Sequence, residues 1–183
     1  SRSEVPSENA DIIITSPPYL NRNNYFSQQK AELSLLGLIS SNEEYKNLVK
    51  TSYRSHVEAE LEKEPISKIP EVNKIISSVV LTENNNPKIP HMIAGYFDDL
   101  QQTLSKLKQN LNPGARLAFV VGNSRWGGVV VPVDHLLALI AERLGYKLDR
   151  ILVARYKGNS PQQMKRYGQI KVRESIVLLK WEG

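Results

Sequence analysis

The chain has 183 residues, of which 40% are hydrophobic and 23% are charged, a composition typical of a globular domain with a sizeable core. It contains no cysteine, which excludes disulfides and thiolate metal sites and fits a reducing cytoplasm. No apolar run approaches the roughly 20 residues needed to cross a bilayer, so no membrane partner is expected. The net charge of +5 favours an anionic partner such as nucleic acid.

The first predicted element is a strand over Asp11–Thr15, built on three consecutive isoleucines. Three β-branched apolar residues in a row leave no polar face, so the pattern predicts a strand buried on both faces inside a parallel sheet. Pro17 and Pro18 end the strand, because neither can donate a ladder hydrogen bond. The turn that follows therefore lies at the carboxyl end of a strand, which is the edge where open α/β sheets bind ligands.

This turn, Ser16-Pro17-Pro18-Tyr19, offers contacts for an amino group on a planar ring. The prolines have no N–H and turn main-chain carbonyls outward as acceptors. Ser16 adds a hydroxyl and Tyr19 adds a flat aromatic face. The alternative is an ordinary loop, because strand–Pro-Pro–turn segments also occur without function.

Residues 26–90 are predicted to form a helical insertion that caps the site, after a tail or linker remnant at residues 1–10. Ser41 and Glu44 have the spacing of a capping box, and the apolar stripe after them indicates a helix that continues to Leu61. A further short helix is predicted over 72–80. Arg54-Ser55-His56 is interpreted as a solvated helix face rather than a phosphate contact.

The second half of the chain alternates helices and strands with short connections, which predicts an α/β fold with a mainly parallel sheet and an antiparallel final strand. The predicted elements are a helix from His91 to Leu111 with a turn at Asn112–Gly114, a strand over Arg116–Val121, a helix over Leu136–Leu144, and strands over Leu148–Tyr156 and Ser175–Trp181.

A polar, basic loop is predicted at Lys157–Lys171. In it Lys165 and Arg166 suit phosphates, and Gln162 and Gln163 are able to read base edges. A charged loop without a ligand is the alternative. Asn123 ends the middle strand at the same sheet edge as the proline turn, so it is predicted to line the cleft.

The sequence Ser16-Pro17-Pro18-Tyr19 after an apolar strand resembles motif IV of the DNA amino-methyltransferases. Those enzymes methylate the exocyclic nitrogen of cytosine or adenine and use S-adenosylmethionine. The serine form is most similar to the N4-cytosine enzymes. Leu20–Tyr25, Gly158–Met164 and Arg173–Val177 resemble further segments of one group of these methylases.

The resemblance implies a Rossmann-like methyltransferase sheet, seen here from its fourth strand onward. It implies that Ser16, Pro17, Pro18 and Tyr19 are catalytic, with Tyr19 stacking on a base flipped out of the duplex. It also implies that Thr15 and Ser16 approach the cofactor. Asn21, Arg22 and Tyr25 are candidates for DNA contact or pocket closure, with plain loop structure as an equal alternative.

The glycine-rich turn that holds the methionine part of the cofactor in this family, Phe-x-Gly-x-Gly, has no counterpart in the 183 residues. The chain is therefore predicted to be the carboxy-terminal half of a methyltransferase, whose partner is an N-terminal half on a separate chain or on a removed segment. Without that half, Asp11–Thr15 is expected to be an edge strand. The alternatives are a non-catalytic DNA-binding or scaffolding subunit and an RNA guanine-N2 methyltransferase.

Overall fold

The fold is described from a computed structural model that defines residues 9–82, 86–158 and 161–183. Within these ranges, the side chains of Gln162 and Gln163 are not described. The predicted tail at residues 1–10 lies largely outside the described residues. Its last residue, Ala10, already belongs to the first strand.

A four-stranded sheet forms the centre of the molecule, with the strand order β1-β2-β6-β5. β1 pairs with β2 in parallel, whereas β6 is antiparallel to both of its neighbours. The predicted α/β class with an antiparallel final strand is therefore confirmed. The strands are β1 Ala10–Thr15, β2 Leu111–Gly122, β5 Tyr146–Lys157 and β6 Val172–Trp181.

Two further strands form a small separate hairpin that the sequence analysis missed. β3 Ser124–Trp126 pairs antiparallel with β4 Val129–Val131. The two residues between them, Gly127 and Gly128, have φ values of 56° and 84°. Positive φ at both central residues is what a tight two-residue hairpin turn requires, and glycine adopts it without strain.

The helices surround one side of the sheet. Buried residues of β2 and β6, such as Leu117, Phe119 and Val177, share one core with the long helices and alternate with half-exposed residues of the opposite face, as the two-residue period of a strand requires. The helices are α1 Tyr25–Gln28, α2 Lys30–Leu35, α3 Asn42–Lys50, α4 Pro70–Val80, α5 Ile89–Leu107, α6 Val133–Arg143 and α7 Pro161–Tyr167.

β1 is an edge strand of the described sheet, as the sequence analysis expected. The prediction that it is buried on both faces is wrong for this chain, because Ile12 is 67% exposed and Ile14 is 77% exposed. Both belong to the sheet surface that the helices leave open. A cavity of about 730 Å³ there is lined by residues of β1, β2, β5 and β6.

Several predicted boundaries differ from those of the structure. The helix expected to reach Leu111 ends at Leu107, and a 3₁₀ turn over Lys108–Asn110 leads directly into β2. Leu111 pairs with Ala10, after which the partner of β1 shifts and Ile12 lies opposite Arg116. The segment predicted as a turn is therefore absorbed into an irregular part of β2, where Gly114 has a φ of 89°.

The region predicted as a helical insertion contains α1 to α4 and a long irregular stretch. Ser41 caps the helix as predicted, because Glu44 N donates to Ser41 Oγ at 3.1 Å, and the Glu44 carboxylate accepts from Ser40 N, one residue before the N-cap, at 2.6 Å. However, α3 ends at Lys50 and does not continue to Leu61. The basic loop also differs from its prediction, since α7 occupies part of it.

The irregular stretch after α3 is held by a buried ion pair. Arg54 is 4% exposed and Asp99, on α5, is 1% exposed. Asp99 accepts hydrogen bonds from Arg54 N, Nε and Nη2 at 2.9, 3.0 and 2.7 Å. The interpretation of Arg54-Ser55-His56 as a solvated helix face is wrong, because all three residues are buried in an irregular segment.

Candidate functional site

The turn Ser16-Pro17-Pro18-Tyr19 leaves the carboxyl end of β1 beside the end of β2. Thr15, the last residue of β1, pairs with Phe119, and the next residue, Ser16, donates its hydroxyl proton to the carbonyl of Val120 at 3.3 Å. The Ser16 hydroxyl is the donor in this bond, so the lone pairs of its oxygen are available to accept hydrogen bonds from a ligand. Leu20 is fully buried directly after the turn, which anchors the segment in the core.

Tyr19 contacts residues from three other strands. Its hydroxyl donates to Glu174 Oε1, on β6, at 2.5 Å. The ammonium of Lys157, at the end of β5, lies 4.8 Å from the centre of its ring. The ring edge lies so close to Gly122, at the end of β2, that an added Cβ there would be 3.1 Å from Tyr19 Cδ2. The aromatic side chain is therefore held at its tip, on one face and along one edge.

The electrostatics of this contact keep the phenol protonated and the carboxyl charged. Burial raises the pKa of Tyr19 above its usual value, and the hydrogen bond to Glu174 raises it further. The hydrogen bonds from Tyr19 and Arg155 lower the pKa of the Glu174 carboxyl. Tyr19 is consequently a donor, and Glu174 an acceptor, throughout the neutral range.

The loop after the turn is shaped by its own hydrogen bonds. Asn21 Oδ1 accepts from Asn23 N at 2.9 Å, and the hydroxyl of Tyr25 accepts from Tyr19 N at 3.4 Å. Arg22 has a φ of 65°, in the left-handed region that non-glycine residues rarely adopt. These contacts and this backbone conformation keep Asn21 and Arg22 in a tight loop directly after the proline turn.

Asn123, which the sequence predicted to line the cleft, is buried and contacts the start of α6. It is 8% exposed, and its Oδ1 accepts a hydrogen bond from Asp134 N, at the start of α6, at 3.1 Å. Asp134 in turn accepts from Arg173 Nε at 2.6 Å and from Ser175 Oγ at 2.7 Å. The side chain of Asn123 thus caps α6 and belongs to a network that joins this helix to β6.

The basic residues Lys165 and Arg166 are exposed on α7. This helix is tied to the β3–β4 hairpin by Arg125, which was not singled out from the sequence. Arg125 donates to the carbonyls of Tyr167, Gly168 and Gly128 and is 5% exposed. The structure defines Gln162 and Gln163 only as members of α7, and their predicted base contacts lie outside the described side chains.

Glu174 and Arg155 lie near Tyr19 although sequence reasoning gave neither an individual role, and Lys157, which was grouped with the basic loop as suited to phosphates, lies there too. They come from strands distant in the chain, and only the pairing of β2, β6 and β5 brings them to Tyr19. The available signal was Glu174 itself, the single acidic residue of the predicted final strand region.

Two negative findings concern the described residues. Among residues 9–82, 86–158 and 161–183, no three metal-ligating side chains come together. Within the same ranges, no helix is both long enough and apolar enough to cross a membrane.

Comparison with known proteins finds relatives of the chain among the type II methyltransferases. It is 33% identical over 195 residues to the type II methyltransferase M.BsoBI of Geobacillus stearothermophilus, covering 94% of this chain and 38% of that protein. It is 33% identical over 183 residues to the type II methyltransferase M.AvaI of Nostoc sp. strain PCC 7120, covering 92% and 37% respectively. The chain therefore spans less than two fifths of the length of these relatives.

Two other comparisons add little. No protein-family model matches the chain. The solved structure of TTHA0409, a proposed DNA modification methylase of Thermus thermophilus, aligns with a TM-score of 0.40 and 18% identity over 60% of this chain and 50% of that one. A likeness this weak supports no argument about function.

Proposed function

We propose that this chain is the catalytic, carboxy-terminal part of a DNA amino-methyltransferase. The reaction transfers a methyl group from the sulfonium of S-adenosylmethionine to the exocyclic amino nitrogen of a flipped base and releases S-adenosylhomocysteine and a proton. The serine of the turn favours N4 of cytosine. The single observation that carries the proposal is the geometry of Ser16–Tyr19, where acceptor oxygens and a held aromatic ring meet at the carboxyl edge of the sheet. The similarity to two type II methyltransferases supports it.

The chemistry assigned to the turn is one of orientation. The oxygen of Ser16 and the carbonyl of Pro17 accept hydrogen bonds from the target amine, which draws its lone pair out of conjugation with the base ring. Tyr19 stacks on the extruded base, since an amino group inside the duplex cannot be reached. Fixed acceptors and a fixed ring lower the barrier because they require no reorganisation during the reaction.

The chain offers only part of a cofactor site. S-adenosylmethionine would supply the methyl group, and Thr15 and Ser16 are proposed to form the wall against it, since Thr15 ends β1 at the ligand-binding edge and Ser16 follows it. The 183 residues include no glycine-rich turn for the methionine part. The remaining contacts are accordingly assigned to residues outside this sequence.

We assign those contacts to an N-terminal methyltransferase half that pairs with β1. Among the described residues, β1 has a neighbouring strand on one side only, and the exposed Ile12 and Ile14 extend an apolar surface from its other edge. Exposed apolar edges of this kind are liabilities that proteins normally cover. A strand and helices from a second half would cover both the edge and the open face.

Calorimetry checks this partnership. We expect S-adenosylmethionine to bind measurably only when the chain is mixed with a polypeptide that carries the glycine-rich half, taken from the neighbourhood of its own gene. The control is Ile14→Lys, which places a charge on the open face of β1 and should reduce complex formation. Tight cofactor binding by the isolated monomer would refute the half-enzyme interpretation.

The function itself is tested by DNA modification. Cells that express the chain together with its proposed half are expected to contain plasmid DNA methylated on an exocyclic amine at one short sequence. Plasmid from cells that express either half alone should be unmodified. Modified base detected by mass spectrometry as N4-methylcytosine supports the proposal, N6-methyladenine corrects the target base, and unmodified DNA with methylated guanine in RNA favours the alternative RNA guanine-N2 activity.

One competing function belongs to another class. The sequence has no glycine-rich turn, which is also what a non-catalytic DNA-binding or scaffolding subunit would show. Such a subunit would have the same fold and the same basic surface. It would bind DNA in the mixture of the two halves while the plasmid stayed unmethylated, so the plasmid experiment distinguishes the two.

The basic face of α7 is proposed to contact the DNA backbone. Replacing both Lys165 and Arg166 by alanine should weaken DNA binding and reduce the slope of log affinity against log salt by about one for each phosphate that is no longer neutralised. Fluorescence anisotropy at several salt concentrations measures this slope. The matched control is Lys46→Ala with Lys50→Ala, which removes two charges from α3. An unchanged slope in the Lys165 and Arg166 variant would exclude backbone contact by α7.

A further inference from the structure

Glu174 accepts a hydrogen bond from the hydroxyl of Tyr19 and so fixes the orientation of its side chain. Glu174 is 7% exposed as a residue and lies opposite Gly122 in the pairing of β2 and β6. One of its oxygens accepts the hydroxyl of Tyr19 at 2.5 Å. A hydrogen bond to an ionised acceptor is short, strong and directional, so this bond orients the phenol as well as satisfying it.

Arg155 completes the arrangement from the other side. It lies opposite Glu174 in the pairing of β5 and β6, and its Nε donates to the second carboxylate oxygen. The side chain of Arg155 is 69% exposed, whereas that of Glu174 is 10% exposed. Two donors on two oxygens fix the plane of the carboxylate, and the guanidinium offsets a negative charge that would otherwise repel phosphates.

The remaining freedom of the ring is limited by Gly122 and Lys157. A Cβ at Gly122 would lie 3.1 Å from Tyr19 Cδ2 and 3.0 Å from Lys157 Nζ, so the ring edge packs against the bare backbone of β2. The Lys157 ammonium covers one face of the ring at 4.8 Å from its centre. A base can stack on that face only after the ammonium moves away.

We infer that Glu174 is the positioning residue for Tyr19 and sets the angle at which the ring meets the extruded base. The inference deepens the proposed function and rests on it. Without Glu174 the Tyr19 hydroxyl loses the carboxylate that accepts its proton, and the ring is freer to turn about its χ angles. Misplacement of a positioning group by about 1 Å can cost about 100-fold in rate.

This role changes what Tyr19→Phe should do. If only the ring face mattered, the substitution would be mild. If Glu174 positions the ring through the Tyr19 hydroxyl, Tyr19→Phe and Glu174→Ala remove the same hydrogen bond and should have the same effect.

The first test is a double-mutant cycle on single-turnover methylation of plasmid DNA by the chain assembled with its other half. Glu174→Ala and Tyr19→Phe should each slow methyl transfer by about 10- to 100-fold, with DNA affinity unchanged. The double variant should be no slower than either single variant. Glu174→Gln should retain most of the rate, because its amide oxygen still accepts the phenolic proton.

Two outcomes would overturn the inference: a wild-type rate for Glu174→Ala, or effects of the two single variants that multiply. Thermal unfolding of each variant guards against simple misfolding, since a purely structural role would lower the melting temperature without altering the rate. Glu174→Gln, which keeps the shape of the side chain, remains informative if Glu174→Ala does not fold.

A second test needs no activity. In the chain labelled with ¹³Cζ-tyrosine, the resonance of Tyr19 is identified by its absence from the spectrum of Tyr19→Phe. The pKa of Tyr19, raised in the wild type by burial and by Glu174, should fall in Glu174→Gln, because the negative charge is gone. An unchanged pKa would overturn the inference. A fall in pKa together with a wild-type enzyme that does not methylate DNA would instead overturn the proposed function and the role in stacking with it.

Discussion

Replacing Tyr19 by alanine is expected to abolish most methyl transfer by the assembled enzyme while leaving most of its DNA affinity. Affinity for DNA comes largely from phosphate contacts, whereas Tyr19 is proposed to hold only the extruded base. Stacking of an aromatic side chain on a base is worth roughly 1–3 kcal/mol, and losing it also loses the orientation of the target amine. Rates from single turnover and affinities from anisotropy, measured on the same DNA, check this expectation.

The control for Tyr19→Ala is Tyr45→Ala, which removes a ring from α3, where Tyr45 contacts Lys30. This variant should keep both the rate and the affinity. Equal loss of rate and affinity in Tyr19→Ala would contradict the stacking role and would indicate that Tyr19 supports the DNA-binding surface as a whole.

The largest effect on folding is expected at Asp99. This carboxylate is 1% exposed and accepts three hydrogen bonds from Arg54. Asp99→Ala leaves the Arg54 guanidinium buried without its main acceptor, and breaking one partner of a buried ion pair costs about 3–5 kcal/mol. Urea unfolding followed by circular dichroism measures the loss in the free energy of unfolding.

A matched control is the ion pair between Glu71 and Arg143, which joins α4 to α6 at 2.6 Å but is exposed to solvent. Glu71→Ala should leave the unfolding midpoint almost unchanged, because solvent and salt screen exposed pairs. If Asp99→Ala were as mild as Glu71→Ala, the buried pair would not be what holds residues 51–69 to α5.

The features that sequence predicted well are those decided by neighbours along the chain. Pro17 and Pro18 end a strand wherever they follow one, since they lack the N–H for a ladder. Gly145, with a φ of 89°, follows the end of α6 as its sequence position predicts. Ser41 and Glu44 cap α3 because the groups involved are three residues apart. Alternation of helical and strand periods was enough for the α/β class.

The features that sequence could not predict depend on contacts between distant segments. Leu111 satisfies the period of the preceding helix equally well, but pairing with Ala10 draws it into β2. Arg54 reads as a surface cation until Asp99, 45 residues later, supplies a buried acceptor. In both cases the local pattern is compatible with two structures, and a tertiary partner selects one.

The same division runs through the candidate site. The order Ser16-Pro17-Pro18-Tyr19 by itself determined a turn at the ligand edge of a sheet and a resemblance to motif IV. Only the tertiary structure decided that Ile12 and Ile14 are exposed and that Glu174 lies at the hydroxyl of Tyr19. The sequence of a strand determines which of its residues share a face. Which residues that face and the strand's end contact depends on the neighbouring strands, and no single segment of the sequence determines that pairing.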